Sequence, residues 1–282
     1  MISGRKILLF LLCLLSLYAL MAQEPRAVTI SVELKPKNVR EYYAVNHDYC
    51  PYYIVINYSN TLDKRTATLH PGKNYLFRLK HEDVISSTFN WNYRYYYGNI
   101  NAEVNAEYRH ALPVVPGDSV RIRHSRGGGL LFNLRHASDT VYACRDGIVC
   151  TDDFIEKRLR GKQIIIYHKD GTFAKYSRLQ KILINPGKKV TTGMPIAIAD
   201  TDEKGGRLVE LRIDFLDKNK VEDPESKNKH SALRPFFHTQ NHGNVRPEEN
   251  ITYIGEITDE ILIQDMSKKE QEQYLKKRKK DD

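Results

Sequence analysis

The chain holds ten histidines and four cysteines, the residue types from which metal sites and nucleophilic centres are commonly built. His238 and His242 stand four apart, which on a helix would align two imidazoles on one face. Their surroundings, HTQNHG among Pro, Asn and Gly, predict a loop, so no relocated metal site is expected there. His124, His136 and His168 are isolated in sequence and read as ordinary polar side chains. No Ser/His/Asp or Cys/His motif of catalytic specificity occurs. Cys144 and Cys150 flank Arg145-Asp146-Gly147, a turn signal that could bring them together across two strands. An oxidising compartment would permit that disulfide, and the three cysteines beyond Cys13 of the N-terminal apolar run, Cys50, Cys144 and Cys150, are an odd count that leaves at least one thiol free or paired with another molecule. The cysteine spacing fits no zinc-finger pattern.

One charged residue falls where chemistry would be placed. In HKDGTFAKYSRL, Lys169-Asp170-Gly171 turns the chain and a strand runs through Tyr176-Ser177 into Arg178-Leu179. Arg178 is either a surface charge or the occupant of a catalytic position.

The elements that must position it are almost all strands. AVTISVEL, YYIVINYS, KNYLFRL and SVRIRHS alternate or run β-rich between Ala27 and about Arg126. The tyrosine-crowded FNWNYRYYYGNINAEVNAEY reads as strand faces packed with aromatics, ahead of a sugar-stacking platform built on Tyr95, Tyr96 and Tyr97. Arg126-Gly127-Gly128-Gly129 lacks the helix and lysine of a phosphate loop and reads as a flexible junction between two halves. KQIIIYH, TFAKYS, PIAIAD and LVELRIDFL continue the β pattern, punctuated by Asp146-Gly147, Asp170-Gly171 and Pro186-Gly187.

The first residues, MISGRKILLFLLCLLSLYALMAQ, join a basic start to an apolar run from Ile7 to Ala19. That run is short for a membrane span and is expected to be a signal segment ending near Ala22, the alternative being an uncleaved anchor. The formal net charge is +9, and much of the excess lies in SKKEQEQYLKKRKKDD, a solvated tail or short polar helix. Nucleic acid is not an expected partner for an exported chain without a binding motif, and membrane contact is expected only through the leader or the basic tail.

The order of motifs in the second half is specific. Val141-Tyr-Ala-Cys-Arg-Asp-Gly-Ile-Val149, Gly161-Lys-Gln-Ile-Ile-Ile-Tyr-His-Lys-Asp-Gly171, Tyr176-Ser-Arg-Leu179, Ile184-Asn-Pro-Gly-Lys-Lys-Val-Thr-Thr-Gly193 and Val209-Glu-Leu-Arg-Ile-Asp214 follow one another. In this order and near-spacing they resemble the LytM/lysostaphin-type zinc endopeptidases, which cleave peptide cross-links in peptidoglycan. About a hundred residues of short strands suggest an N-terminal β-sandwich, and the resemblance implies that a LytM-like (duplicated hybrid motif) β-sheet domain follows it, an all-β chain. The implied divisions are a signal peptide over 1–22, the sandwich over 23–126, a degenerate peptidase domain over 127–258 and a basic polar tail over 259–282.

The same resemblance implies a zinc ion held by two imidazoles and a carboxylate, with further histidines for proton transfer. Residue by residue, the family's H-x-H pair falls on Glu210 and Arg212, and its Y-x-H-L histidine on Arg178. Its ligand aspartate falls on Phe132, or on Asn133 with a one-residue shift, and no histidine stands at the expected distance upstream. Arginine stays protonated and offers no lone pair to a metal. The expectation is therefore a degenerate cleft of Arg178, Glu210, Arg212 and Asn133, with no catalytic residue, metal ligand or cofactor, in which the glutamate lies between two arginines.

Relatives of this kind with degenerate zinc sites bind and activate cell-wall amidases or scaffold envelope machinery. The implied role is a secreted, catalytically inactive binding, scaffold or regulatory protein of the periplasm or cell envelope. Its partner would be an envelope protein, a cell-wall amidase or a peptidoglycan peptide. The competing expectation is an active zinc-dependent endopeptidase whose ligands lie elsewhere in the sequence.

Overall fold

A computed structural model describes residues 27–58, 64–80, 91–134, 138–151, 161–201 and 205–281. The leader over 1–22 and His136 lie outside the described residues. Strands β1 (Val28–Lys35), β2 (Val39–Asn46) and β5 (Gly72–Leu79) form one three-stranded sheet, while β4 (Lys64–Leu69), β3 (Tyr52–Tyr58) and β6 (Trp91–Tyr97) form another. Tyr42, Ala44 and Phe77 of the first meet Tyr52, Ile54, Ile56 and Leu69 of the second in one core. Tyr42 stacks on Phe77 at 4.7 Å and Trp91 stands edge-on to both. Offset and edge contacts of this kind are the favoured arrangements of aromatic quadrupoles.

The larger sheet has eleven strands, among them β8 (Ser119–His124), β9 (Leu130–Asn133), β11 (Gly147–Val149), β12 (Lys162–Tyr167), β13 (Phe173–Ile182) and β16 (Leu208–Leu216). Along its main path β12, β13, β16, β9 and β8 lie side by side, antiparallel throughout. Strand β16 shows the period of two that such a sheet requires: Val209, Leu211 and Ile213 are buried in the core, while Glu210 and Arg212 face the other way.

Strand β12 breaks that alternation for a physical reason. Ile164 and Ile166 enter the core of the large sheet, and Ile165 between them enters the core of the N-terminal sheets. A strand covered on both faces reads as a continuous apolar run. Phe173 and Cys150 join the N-terminal core in the same way, so the two halves share buried surface.

The Gly-rich stretch has a different place from the one expected. Arg126–Gly129 lies in the tight turn of the β8–β9 hairpin, where the Ser125 N–H donates to Gly129 O at 2.9 Å and the Gly128 N–H to Ser125 O at 3.2 Å. Gly147 is required by a close approach, because a Cβ there would lie 2.5 Å from Ile166 Cγ2 and 2.6 Å from Tyr167 O. The tail forms a helix, Lys268–Asp281, entered through a capping box in which the Ser267 N–H donates to Glu270 at 2.7 Å. No helix among the described residues is long and apolar enough to cross a membrane.

Arg145 fastens the end of the chain to the large sheet. Its guanidinium makes a bidentate pair with Asp265 at 2.8 and 2.7 Å, donates to Asp170 at 2.8 Å and lies 3.5 Å above the Tyr108 ring. Beside this network sit two fully buried imidazoles. His110 Nδ1–H donates to Phe236 O and His168 Nδ1–H to Asp146 O. Burial holds them neutral, pushing His110 down to about 3 and His168 to about 4. Burial likewise lowers His230 to about 4.

These shifts set the acid limb of stability. Below the ordinary histidine range the unfolded chain binds protons that the folded chain refuses, so stability falls as pH falls. Between about pH 7 and about pH 5 each of the three histidines should contribute a loss of roughly 1–2 kcal/mol. Urea unfolding across that window checks it, and a flat profile would contradict the neutral buried imidazoles.

Candidate functional site

The outward face of the large sheet carries every residue predicted for the cleft. Glu210 pairs across to Ser177 on β13 and to Leu131 on β9, and partners in register share a face. Asn133, opposite Leu208, lies one pair further along that face. Arg178 directly follows Ser177, at a point where β13 departs from regular geometry. Its φ is +63°, in the left-handed region that favours glycine, and the pairing of β13 with β15 (Pro195–Ala199) shifts register just beyond it.

The structure brings Arg178 and Glu210 together, Nε to Oε2 at 3.8 Å. Their side chains are 36% and 19% exposed, so the pair opens to solvent along one side. Glu210 Oε1 lies 3.2 Å from where a Gly129 Cβ would stand, and Ser125 Oγ lies equally near. Gly129 thus leaves the space that the Glu210 carboxylate takes. Sequence reading placed Gly129 in a junction, and no local pattern signals its approach to Glu210.

Arg212 corrects the expected glutamate between two arginines. Its Nε lies 3.6 Å from Asp214 Oδ2 on its own strand, and Lys175 donates to the same oxygen at 2.8 Å. The period of two explains this: Asp214 is the next residue on that face and is 1% exposed, and a buried carboxylate draws close cationic partners. Two adjacent charge groups result, Arg178–Glu210 and Arg212–Asp214–Lys175. The second lies under the N-terminal half, where Lys175 also donates to the Tyr97 hydroxyl and Tyr97 stacks on His230 at 3.7 Å. Tyr97 meets Phe173 edge-on and Tyr95 meets Tyr52, so these two tyrosines are packing residues.

The donor set does not fit the zinc ion that the family resemblance implies. Arg178 and Arg212 have no lone pair to offer, and the Glu210 carboxylate is already paired. Among the described residues the one group of three potential ligands is Asp48, Cys50 and Cys150, on the N-terminal side of the sheet. His238 and His242 do not converge either. His238 lies between Asn244 and Glu256, while His242 packs its ring against Tyr253.

The expected contact of Cys144 with Cys150 is also revised. Strand β10 (Thr140–Tyr142) pairs with β15, whereas β11 pairs with β12 and β14 (Lys189–Val190), so Arg145-Asp146-Gly147 does not join two partnered strands. Cys144 lies in the core of the large sheet and Cys150 in that of the N-terminal sheets.

A cavity of ≈ 550 Å³ opens beside the turn that carries Gly128, lined in part by His124, Leu130, Arg234, Arg246 and Glu249. Arg246 covers the Phe236 ring at 4.0 Å and pairs with Glu107, so its charge is partly engaged.

The strained Arg178 backbone generates a test of what holds this residue. Arg178→Gly removes a half-open ion pair, about 0–1 kcal/mol, and relieves a left-handed backbone by a similar amount. Its stability should stay within about 1 kcal/mol of the parent, whereas Arg178→Val, β-branched at positive φ, should lose about 2 kcal/mol. Urea unfolding compares them, and a larger loss for the glycine variant would contradict this account.

The model of "Peptidase family M23" matches residues 114–224. No curated protein matches the chain. Among solved structures, the chain is similar to a novel M23 metalloprotease, pseudoalterin, from the deep sea, at 15% identity over 54% of this chain and 92% of that one, with a TM-score of 0.32. It is also similar to a putative M23 peptidase from Pseudomonas aeruginosa, at 12% identity over 66% and 87%, with a TM-score of 0.31. A zinc containing peptidase from Vibrio cholerae matches at 13% identity over 68% and 83%, with a TM-score of 0.26. These scores are too low to bear on activity. Residues 114–224 of this chain are thus similar to peptidase family M23.

Proposed function

We propose that this chain is an exported member of the M23 fold family that binds in the cell envelope and does not cleave. The observation that carries the reading is the Arg178–Glu210 pair at 3.8 Å, two side chains of opposite charge in the cleft where the family resemblance puts histidines. Hydrolysis of a peptide bond needs an activated water and stabilisation of the developing oxyanion. A guanidinium can stabilise an anion but cannot accept a proton or hold a metal. No cofactor belongs to this reading.

What the pair can do is exchange partners. Arg178 is partly exposed, and its planar guanidinium matches a carboxylate in a bidentate fork. A ligand carboxylate that displaces Glu210 would retain the charge-assisted contact. The partner is therefore acidic: a peptidoglycan peptide, or a carboxylate-bearing surface of an envelope protein or cell-wall amidase. Nucleic acid, itself polyanionic, is disfavoured by export and by the absence of a basic binding motif.

Sedimentation of the purified protein with isolated peptidoglycan tests the peptide form of the reading. Binding is expected to weaken about tenfold in Arg178→Glu, equivalent to about 1.4 kcal/mol, with no peptide released from the wall. Chelator-sensitive release of peptides would overturn it in favour of an active zinc endopeptidase.

A further inference from the structure

Two thiols from opposite halves of the molecule meet in the shared core. Cys50 precedes β3 in the N-terminal part, and Cys150 follows β11 in the large sheet. They are 0% and 3% exposed. Their sulfur atoms, together with a carboxylate oxygen of Asp48, lie within 4.8 Å of one another. The surrounding backbone is tied down from both sides. The Thr151 N–H donates to Asp48 Oδ1 at 2.7 Å, the Cys150 N–H to Ile165 O at 2.9 Å, and the Asn46 side-chain amide to Cys50 O at 2.9 Å.

We infer that Cys50 and Cys150 form a disulfide that joins the N-terminal sheets to the M23 domain. Closing the contact to a bond of about 2 Å asks for side-chain rotation in a setting where both backbones are already fixed. The loop closed would span about 100 residues, a length at which a cross-link restricts the unfolded chain strongly. The bond would hold Tyr97 and its neighbours over Lys175 and Asp214, beside the cleft.

A metal site is the competing use of these three residues, and Asp48 argues against it. Oδ1 accepts from the Tyr49 N–H at 2.6 Å and the Thr151 N–H at 2.7 Å, while Oδ2 accepts from the Tyr52 hydroxyl at 3.1 Å and the Cys50 thiol at 3.5 Å. Its carboxylate is spent on hydrogen bonds, and two thiols alone make a poor cation site.

The chemistry fixes when the bond forms. Burial, and then the adjacent thiol and carboxylate, hold Cys50 in its protonated form, which is a poor nucleophile in the closed protein. Oxidation therefore belongs to the stage before the halves close. One thiolate attacks the disulfide of an oxidising partner, a protein or low-molecular-weight disulfide, and releases one of its thiols. The second cysteine's thiolate attacks that mixed disulfide and releases the other. Two protons and two electrons leave the cysteine pair, and the oxidant becomes a dithiol. In the cell this step rests on the proposed export to an oxidising compartment.

Refolding tests the bond independently of export and of any cleft activity. The full chain is reduced, unfolded, refolded in a buffer of oxidised and reduced glutathione, then denatured with an alkylating reagent and mapped by mass spectrometry. Cys13 and Cys144 should be alkylated, and a peptide pair joined through Cys50 and Cys150 should separate on reduction. Cys144→Ser should keep the cross-link, while Cys50→Ser should abolish it and make Cys150 alkylatable. The oxidised protein should unfold at a higher temperature than the reduced one. Alkylation of all four cysteines, or a cross-link through Cys144, would overturn the inference. So would zinc retained by the reduced chain with Cys50 and Cys150 protected until a chelator is added.

Discussion

The central hairpin of β12 and β13 is buried on both faces, and the rest of the molecule depends on that. Ile164, Ile166, Ala174 and Tyr176 belong to the core of the large sheet, while Ile165 and Phe173 belong to that of the N-terminal sheets. A one-residue slip in either strand would exchange the two sets and break both cores, so the register is strongly fixed. That register in turn decides which residues of β13 and β16 reach the outward face. Ser177 opposite Glu210, and Lys175 opposite Arg212, follow from it. The N-terminal half is consequently more than an appendage, because its tyrosines cover one stretch of the face on which the cleft lies.

On that face the charges sort by burial. Asp214 is almost wholly enclosed, and a buried carboxylate is tolerated only with close cationic partners. It takes both Lys175 and Arg212. Glu210, less enclosed, pairs with Arg178 at a looser distance. The tighter group is structural in character, and the looser one retains freedom to re-pair. The strained backbone at Arg178 fits this division, since uncommon φ values persist where surrounding structure holds them.

Much of this was legible in sequence, and the failures have physical causes. The alternation of LVELRIDFL placed Glu210 and Arg212 on one strand face, whereas Gly147, read as part of a hairpin turn, opens β11, where only glycine admits the approach of Ile166. The pairing of Arg212 was missed because side-chain choice depends on the burial of Asp214, which no local pattern reports. Arg126–Gly129 resembled a linker, since a glycine run looks the same in a hairpin turn as in a junction. The placement of Cys144 failed because a turn signal says nothing about which strands then pair. Arg145 with Asp265 was invisible for a simpler reason: 120 residues separate them, and each alone reads as a surface charge.

The central claim is that the Arg178–Glu210 ion pair stands in the cleft where the family resemblance puts histidines, leaving no zinc site there. Zinc content after equilibration with excess zinc and desalting tests it most directly, measured on the parent and on Glu210→Ala. The account predicts that the parent holds no stoichiometric zinc and that the substitution changes nothing in metal content. One zinc per chain, lost when Glu210 is replaced, would contradict it.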